Sequence, residues 1–599
     1  MNTTTDRRWY DQVRDLTTRL VQINSVSPSV ERENACAAEI RKALAERGVA
    51  SGTWRMRADE RHIVWAMVEG DSPAADVDAT PTVILLGHLD VAGVQDFGPD
   101  LDPFDPHSLL KHHLDRYGKD PSNEDERSQD AASGEWMFGR GSFDMKSGVA
   151  AQIAVMGALQ QARASLPGNV LMVTTPDEEV ESAGLMDALE PLIELRDARG
   201  LKFVGVINSD YTAPREPGDD SRTIYRGTIG KLLCCFYVRG CETHVGEAFR
   251  GLDANLIAAN LVRETNLNPD LCDEADGETT VPPVTQKVRD FKARYDAQTP
   301  ISSLIHCSCL VHAWTPRDVL VRMVGLASNA LDRANQQRLV AWDAYSRRQG
   351  SENVLPSLGG SVVTYGELHE AVAEQLGGDR LRREMDERAF GIIRDTRAAL
   401  GRLTPAERDF LVDRARLADM DSRERSVVIV RTLVEIALRE DVLDTREPFI
   451  VVYFAPPFFP PVRGDRSSRL NRAIAAEVGT GVHGPIQFRG FYPYVSELSF
   501  LRVDPAVYES LPLLKANFPL WRDQKEEMPE EVRLETFNVP FDAIRELDCD
   551  VANIGPWGKE AHGRGERVHM PYSFETVPEL IHNVVLRLLS DAAYGECTA

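Results

Sequence analysis

Three apolar runs, each followed directly by acidic or histidine side chains, constrain the fold of this chain most strongly. They read TVILLGHLD, NVLMVTTPDEE and KFVGVINSD, at residues 82–90, 169–179 and 202–210. Nearly continuous runs of Val, Ile and Leu are typical of parallel strands that helices cover on both faces. A small-residue segment, MKSGVAAQIAVMGALQQAR at residues 145–163, suits a helix packed closely on such a sheet. The sequence therefore predicts a doubly wound α/β domain.

The sequence pattern changes near residue 223, which predicts a second domain. Strand and helix patterns alternate from there with one-sided amphipathicity, as in a small α+β domain inserted into the first. Charged helical patterns follow, either as an extension of the insertion or as the return into the first domain. The predicted parts are a first α/β segment, the insertion, the charged helices and a second α/β segment, at residues 1–224, 225–348, 349–445 and 446–599.

The charge balance and the cysteines narrow the range of partners and compartments. The chain has 68 Lys and Arg against 93 Asp and Glu, a formal net charge of −25. Nucleic-acid recognition depends on clustered Lys and Arg, so no nucleic-acid partner is expected. No apolar run suggests a membrane span, and the first residues lack the basic-then-apolar order of a signal peptide. Nine cysteines without a C-x-x-C pair predict free thiols in a reducing cytoplasm.

Candidate metal ligands follow the predicted strands at their carboxyl ends. In open parallel sheets, ligands bind in the crevice outside these ends, so side chains there are expected to converge. A further acid comes in the glycine-rich segment GRGSFDMKSG, where the predicted small-residue helix begins. Histidine and carboxylate groups together suit zinc or a similar divalent ion. The candidates are His88, Asp90, Asp144, Glu178, Glu179 and Asp210.

Each of these signals is weak when it is taken alone. A lone H-x-D is more often a histidine hydrogen-bonded to a nearby acid than a ligand, and an acidic run such as DEE often begins a solvated helix. The segment GRGSFD resembles half of a dinucleotide fingerprint, but it lacks the third glycine and does not directly follow a strand. The shared position at strand ends favours a metal site, because metal charge would balance acids that are otherwise costly to bury.

Six motifs, in the order in which they occur, resemble those of a known enzyme family. They are GHLDVAG, GRGSFDMKSGVAA, TPDEEVESAG, VINSD, GCETHVGEAFRGLDAN and NIGPWGKEAH, and they span most of the chain. The family is that of the co-catalytic zinc aminoacylases, dipeptidases and glutamate carboxypeptidases. The segments TIGKLLCCFYVRGCETHVG, YFAPPFFPPV and NIGPWGKEAHGRGERV look most like its bacterial arginine-utilisation branch. The resemblance implies a zinc-peptidase-like catalytic domain, an inserted ferredoxin-like lid and dimerisation domain, extra helices and a homodimer.

The resemblance also implies two divalent metal ions that share one carboxylate, with zinc favoured and manganese or cobalt left open. The implied ligands are Asp144 as the bridge, His88 and Asp210 at one metal, and Glu179 and His562 at the other. His562, in GKEAH, matches the family's last ligand better than His569 or His582 does. The peptide bond between residues 144 and 145 is expected to be cis.

Other residues receive roles by the same resemblance. Asp90 would orient His88, and Glu178 would be the general base on the attacking water and then the proton donor to the leaving nitrogen. His244, in the insertion, would reach the active site of a partner subunit and polarise the scissile carbonyl. Asn255 would help to hold the substrate carboxylate or carbonyl. The structural alternatives are a turn cap for His244 and an exposed helix start for Asn255.

The expected function is metal-dependent hydrolysis of an amide C–N bond in a small N-acyl amino acid, a dipeptide or a related compound. The narrower resemblance adds a place in arginine or amino-acid catabolism. The alternative is a catalytically silent metal- or amino-acid-binding regulatory protein, which is disfavoured because metal binding alone needs neither Glu178 nor His244. Three features depart from the family pattern: the long polar loop at residues 96–134, the larger inserted region with its charged helices, and Glu497 where the family more often has Asp.

Overall fold

The chain forms two compact units, and each unit is built from stretches that are separate in the sequence. The computed structural model describes residues 8–71, 79–117, 125–216, 218–292, 295–351, 353–401, 421–522 and 536–594. Unit 1 comprises Met1–Ile229, Val462–Val503 and Pro540–Ala599, and unit 2 comprises Gly230–Pro461 and Asp504–Val539. The chain therefore passes from one unit to the other four times.

The described helices and strands are as follows. The strands are β1 (Ala50–Arg55), β2 (His62–Glu69), β3 (Thr80–His88), β4 (Trp136–Phe138), β5 (Asn169–Thr175), β6 (Leu201–Asn208), β7 (Arg222–Tyr225), β8 (Gly230–Arg239), β9 (Glu274–Ala275), β10 (Glu278–Thr279), β11 (Val284–Asp290), β12 (Ser302–Val311), β13 (Ser361–Thr364), β14 (Phe449–Phe459), β15 (Ile486–Arg489), β16 (Val551–Asn553), β17 (Gly558–Lys559) and β18 (Arg567–His569). The α-helices are α1 (Tyr10–Val21), α2 (Val30–Ala45), α3 (Pro106–Tyr117), α4 (Glu126–Ser133), α5 (Lys146–Gln161), α6 (Ala183–Arg199), α7 (Ala254–Thr265), α8 (Pro316–Arg348), α9 (Tyr365–Leu376), α10 (Gly378–Met385), α11 (Gly391–Gly401), α12 (Ser422–Arg439), α13 (Arg469–Gly479), α14 (Pro505–Ala516), α15 (Phe541–Leu547) and α16 (Val577–Tyr594).

An eight-stranded sheet forms the centre of unit 1, in the order β1-β2-β5-β3-β6-β16-β7-β15. Strands β5, β3, β6 and β16 run parallel, whereas β1 and β2 add an antiparallel edge. Strands β3 and β5 are buried along almost their whole length, as expected of central strands. The α/β prediction is therefore confirmed, with a mixed rather than a purely parallel sheet.

Small residues let helix α5 pack closely in unit 1. Thirteen of its 16 residues are buried, and they share one hydrophobic core with residues of α1, α2 and α16. Gly148, in its first turn, has no room for a side chain, because a Cβ there would lie 2.0 Å from the carbonyl oxygen of Ser209. The start of this helix therefore lies directly against the loop that follows β6.

A five-stranded sheet forms the centre of unit 2, in the order β11-β12-β8-β14-β13. Its first four strands are antiparallel, and β13 runs parallel to β14. The boundary predicted at residue 446 differs from the structure, because β14 pairs with β8 from Phe449 to Ala455 and so lies in unit 2. The described helices between 349 and 445 also belong to unit 2.

Two sequence expectations concern features spread over the whole chain. The eight cysteines within the described residues are all free thiols, as predicted. Among the described helices, we find none with the length and apolar character needed to cross a bilayer.

Candidate metal centre

Four other side chains of unit 1 meet around the carboxylate of Asp144. His88 Nε2 lies 3.1 Å from Asp144 Oδ1, and His562 Nε2 lies 3.0 Å from Asp144 Oδ2. Glu179 Oε2 lies 3.0 Å from His562 Nε2. The candidate ligand atoms form two groups, each within 4.8 Å of one another: His88, Asp144 and Asp210, and Asp144, Glu179 and His562. The structure thus brings all five implied ligands together, with Asp144 common to both groups.

The parallel strands explain how the ligands converge. His88 ends β3 and lies opposite Thr175, the last residue of β5, so the acidic run after β5 begins at the same edge of the sheet. Asp210 follows β6, and Asn553 of β16 holds it through two hydrogen bonds of 2.9 Å to its backbone N–H and carbonyl. Gly555 makes this approach possible, because a Cβ there would lie 1.6 Å from the carbonyl oxygen of Asp210. The peptide bond Asp144–Met145 is cis, as expected.

Asp90 connects two of the ligand-bearing segments. His88 Nδ1 lies 3.1 Å from the backbone carbonyl oxygen of Asp90 and 3.6 Å from its carboxylate. That carboxylate accepts the backbone N–H groups of Glu178 and Glu179, each at 3.1 Å. Asp90 therefore contacts the ring of His88 and also fixes the loop that carries the two glutamates.

Arg61 supplies the positive charge that balances Asp177, the first acid of the DEE run. Its Nη1 donates to Asp177 Oδ1 at 2.7 Å and to Glu33 Oε1 at 3.2 Å, and all three side chains are buried. Asp177 has a φ of 74° and accepts the N–H of Ala183, which turns the chain into helix α6. Arg61 is not recognisable from the sequence, because a single arginine 116 residues from its partner gives no local signal.

Comparison with known proteins identifies the family. A sequence profile described as Peptidase family M20/M25/M40 matches residues 109–516, which include Asp144, Glu179 and Asp210. The chain belongs to this peptidase family. It is similar to protein RocB of Bacillus subtilis (strain 168), with 27% identity over 595 residues, 97% of this chain and 95% of the relative. It is also similar to succinyl-diaminopimelate desuccinylase of Xanthomonas euvesicatoria pv. vesicatoria (strain 85-10), with 24% identity over 334 residues, 55% of this chain and 75% of the relative.

Among solved structures, the chain is similar to the M20 family metallo-carboxypeptidase Sso-CP2 from Sulfolobus solfataricus. The two are 11% identical, with a TM-score of 0.49, and the match covers 96% of this chain and 99% of that chain. As a member of the M20/M25/M40 family, the chain is a metal-dependent hydrolase. Its two groups of candidate ligands, His88 and His562 included, lie within one unit.

Burial raises the pKa of most of the carboxyl groups at this centre and so favours their neutral form. Burial, and next the charge of Asp144, raise the pKa of Asp210 to about 8. Burial likewise raises the pKa of Glu178 and of Glu179. Burial acts in the same direction on Asp144, but hydrogen bonds from the two histidines outweigh it and lower the pKa of this carboxyl. A divalent cation would keep such acids ionised, so the donor set of imidazoles and carboxylates fits a pair of divalent metal ions.

His244 and Asn255 belong to unit 2, whereas the five candidate ligands belong to unit 1. His244 is exposed, and its Nδ1 accepts the N–H of Gly246 at 3.1 Å, so it caps a turn. Asn255, in the first turn of α7, accepts a hydrogen bond from Ser303 and donates to Asp290 at 3.4 Å. Both residues therefore have the structural contacts that the sequence left as alternatives to function.

A buried glutamate and a group of aromatic rings lie beside the candidate ligands. Glu497 is buried and accepts a hydrogen bond from the hydroxyl of Thr175 at 2.7 Å, and burial raises its pKa to about 8. Tyr211, directly after Asp210, packs against Phe143 and Tyr494 with ring centroids 4.8 and 4.9 Å apart. No sequence pattern indicates these aromatic contacts, because they join segments that are distant along the chain.

Proposed function

We propose that this protein hydrolyses an amide C–N bond in a small N-acyl amino acid, a dipeptide or a related compound. One observation carries the proposal: Asp144 is shared by two groups of metal-ligating side chains, and Glu178 lies beside them. A carboxylate oxygen of Glu178 lies 3.9 Å from His88 Nε2. A general base needs this position, because it must reach a water molecule held at the centre. Similarity to a desuccinylase, whose name describes removal of an acyl group, supports the N-acyl substrate class.

The chain's own residues would hold the metal and move the proton. Zinc is the proposed ion, because histidine and carboxylate ligands in this combination suit it, although manganese and cobalt accept the same donors. Bound divalent ions would lower the pKa of the attacking water and polarise the scissile carbonyl. Glu178 would accept the proton of that water and deliver it to the leaving nitrogen. Asp90 would keep the Glu178 backbone in place through its hydrogen bond to the N–H group.

We further propose a homodimer formed through unit 2. Strand β11 is an edge strand of the five-stranded sheet, and its Val284 and Val288 are 45% and 52% exposed. Exposed apolar side chains on an edge strand favour pairing with another chain. In this arrangement, His244 of one subunit would stabilise the oxyanion in the centre of its partner, and Asn255 would help to bind the substrate. Sedimentation of wild-type protein and of Val288→Glu would test this, and a monomeric wild type would refute it.

The likeness to protein RocB extends over nearly the whole chain, and it supports the narrower resemblance to the arginine-utilisation branch. We therefore propose a place in arginine or amino-acid catabolism. The free thiols of the described cysteines support a cytoplasmic location.

The variant Glu178→Gln tests the catalytic proposal. We expect the metal content to stay near that of the wild type while kcat falls by about 10²–10⁴-fold, because the general base is lost and the ligands are kept. Glu181→Gln, in the same loop but outside both ligand groups, is the matched control and should keep its activity. The substrate screen would measure amine released from N-acyl amino acids and dipeptides. Unchanged turnover in Glu178→Gln would refute the mechanism, and amino-acid binding without turnover in the wild type would favour the silent regulatory protein.

A further inference from the structure

Arg140 and Glu566 form an ion pair in the interior of unit 1, beside the candidate metal centre. Their side chains are 1% and 0% exposed, and Arg140 Nη1 donates to Glu566 Oε2. Neither residue belongs to the groups of candidate ligands. We propose that this pair positions the metal ligands Asp144 and His562 relative to each other and so sets the affinity for the metal. The inference rests on the proposed metal-dependent function.

Glu566 fixes the turn that leads to Asp144. Its Oε1 accepts the backbone N–H of Gly141 at 2.8 Å and those of Phe143 and Asp144 at 3.4 Å. A single carboxylate oxygen thus binds three amides of the same turn. Hydrogen bonds to a charged acceptor are stronger than neutral ones, so they hold the backbone of this turn at the point where the bridging ligand begins.

Arg140 donates hydrogen bonds to two other backbone segments. Its Nη2 donates to the carbonyl oxygen of His562 at 2.9 Å and to that of Gly93 at 3.0 Å. His562 has a φ of 62°, in the left-handed region that residues other than glycine rarely adopt. Gly93 lies shortly after His88 in the chain. One guanidinium therefore ties together the backbone segments that carry three of the five candidate ligands.

The geometry points to positioning rather than to stability as the purpose of this pair. A buried ion pair is often no more stabilising than well-packed apolar residues of similar volume. An apolar pair would fill the same space, but it could not bind three amides on one side and two carbonyl groups on the other. Groups that orient metal ligands from outside the ligand set typically change metal affinity by about 10–100-fold when they are removed.

A buried carboxylate elsewhere in the same unit, with a partly exposed arginine as its partner, offers a control. Glu477 is 4% exposed and binds Arg587 Nε at 2.7 Å, His483 Nε2 at 2.8 Å and Asn583 Nδ2 at 2.9 Å. These contacts join α13, α16 and the loop after α13, none of which carries a candidate ligand. Loss of the Glu477 charge should therefore weaken the fold without changing the metal centre.

The test compares Arg140→Lys, Glu566→Gln and Glu477→Gln with the wild-type full-length protein. Zinc dissociation constants would be measured by competition with a chelating dye, and unfolding would be followed by urea titration. We expect zinc to bind about 10–100-fold more weakly to the first two variants, and excess zinc to restore much of their turnover. Glu477→Gln should lose stability and keep the wild-type zinc affinity. Arg140→Lys retains the charge and the ion pair, so it provides the comparison even where Glu566→Gln does not fold.

Three outcomes would overturn the proposal: wild-type zinc affinity in both Arg140→Lys and Glu566→Gln, an equal loss of affinity in Glu477→Gln, or no zinc binding by the wild type. The proposed function fails separately. Wild-type protein that binds zinc in a manner sensitive to Arg140→Lys, but that cleaves no amide, would refute the hydrolase and leave the positioning role of the pair standing.

Discussion

Replacement of Arg61 by leucine should destabilise unit 1 in a strongly pH-dependent way. The guanidinium is the partner of two buried carboxylates, those of Glu33 and Asp177. Burial, and next the charge of Asp90, raise the pKa of Glu33 to about 7 from 4.5. Burial raises the pKa of Asp177 to about 6 from 3.8, although Arg61 opposes the shift. Without Arg61, both acids would have to be neutral in the folded state.

The expected loss of stability in Arg61→Leu follows from the free energy needed to protonate each carboxylate. This free energy is about 1.4 kcal/mol for each pH unit above the unfolded-state pKa. At pH 7.5 this sets an upper limit of about 4 kcal/mol for Glu33 and about 5 kcal/mol for Asp177. Because the pKa values of Glu33 and Asp177 are already raised in the wild type, each of these residues lowers its free energy of unfolding by about 3 kcal/mol at this pH. Loss of Arg61 should therefore add about 3 kcal/mol in total, the lower end of the range for breaking a buried ion pair.

The sign of the pH effect distinguishes this cause from simple loss of packing. A raised folded-state pKa makes the carboxyl harmless below its unfolded pKa and costly as the pH rises through the folded value. At pH 5.0 both acids are already mostly protonated in the folded wild type, so the electrostatic difference between wild type and variant should almost vanish. Urea unfolding of metal-free wild type and Arg61→Leu measures the loss of stability at pH 7.5 and at pH 5.0. Arg55→Leu, whose partner Glu60 is 67% exposed, is the control and should change stability by less than about 0.5 kcal/mol. Equal destabilisation of Arg61→Leu at the two pH values would refute the reasoning.

Three further substitutions test other parts of the structure. Gly555→Ala should weaken zinc binding without loss of folding, because the added Cβ would displace the carbonyl of Asp210; wild-type affinity in a zinc titration would contradict this. Gly325→Ala, in the middle of α8 with no atom within 4 Å of the added Cβ, should raise the free energy of unfolding by about 0.5–1 kcal/mol, and a lower urea midpoint would count against it. Burial lowers the pKa of His306 to about 3, so its neutral form stabilises the fold above pH 6.5 and this stability is lost as the pH falls. The free energy of unfolding should therefore fall by about 1.4 kcal/mol less in His306→Leu than in the wild type between pH 7.5 and 5.5. An equal fall in both proteins would show that the pKa of His306 is not lowered.

The central strands and the ligands beside them could be predicted because buried strands have recognisably apolar sequences. Strands β3 and β5 are covered on both faces, so their residues are apolar without interruption, and the polar residues that follow stand out. His562 lies in a loop without periodicity, and only the resemblance to a family indicated it.

The remaining parts depend on contacts that no local pattern records. The apolar residues of β14 do not reveal which sheet this strand joins, and it pairs with β8 in unit 2. Arg140 and Glu566 lie 426 residues apart, and neither stands in a local pattern that indicates the other. Such pairs become recognisable only when the fold brings them into a space from which water is excluded.

The segmented composition of unit 1 determines when its centre can exist during biosynthesis. Four of the five candidate ligands are made before the ribosome begins unit 2, whereas His562 and strand β16 belong to the last segment of unit 1. Until that segment has been made, β6 lacks β16, one of its two neighbours in the sheet, and the acids lack the imidazole of His562. The group Asp144, Glu179 and His562 can therefore be completed only when the last segment has been made, and a polypeptide that ends before residue 540 would lack His562 and the Asn553 that holds Asp210.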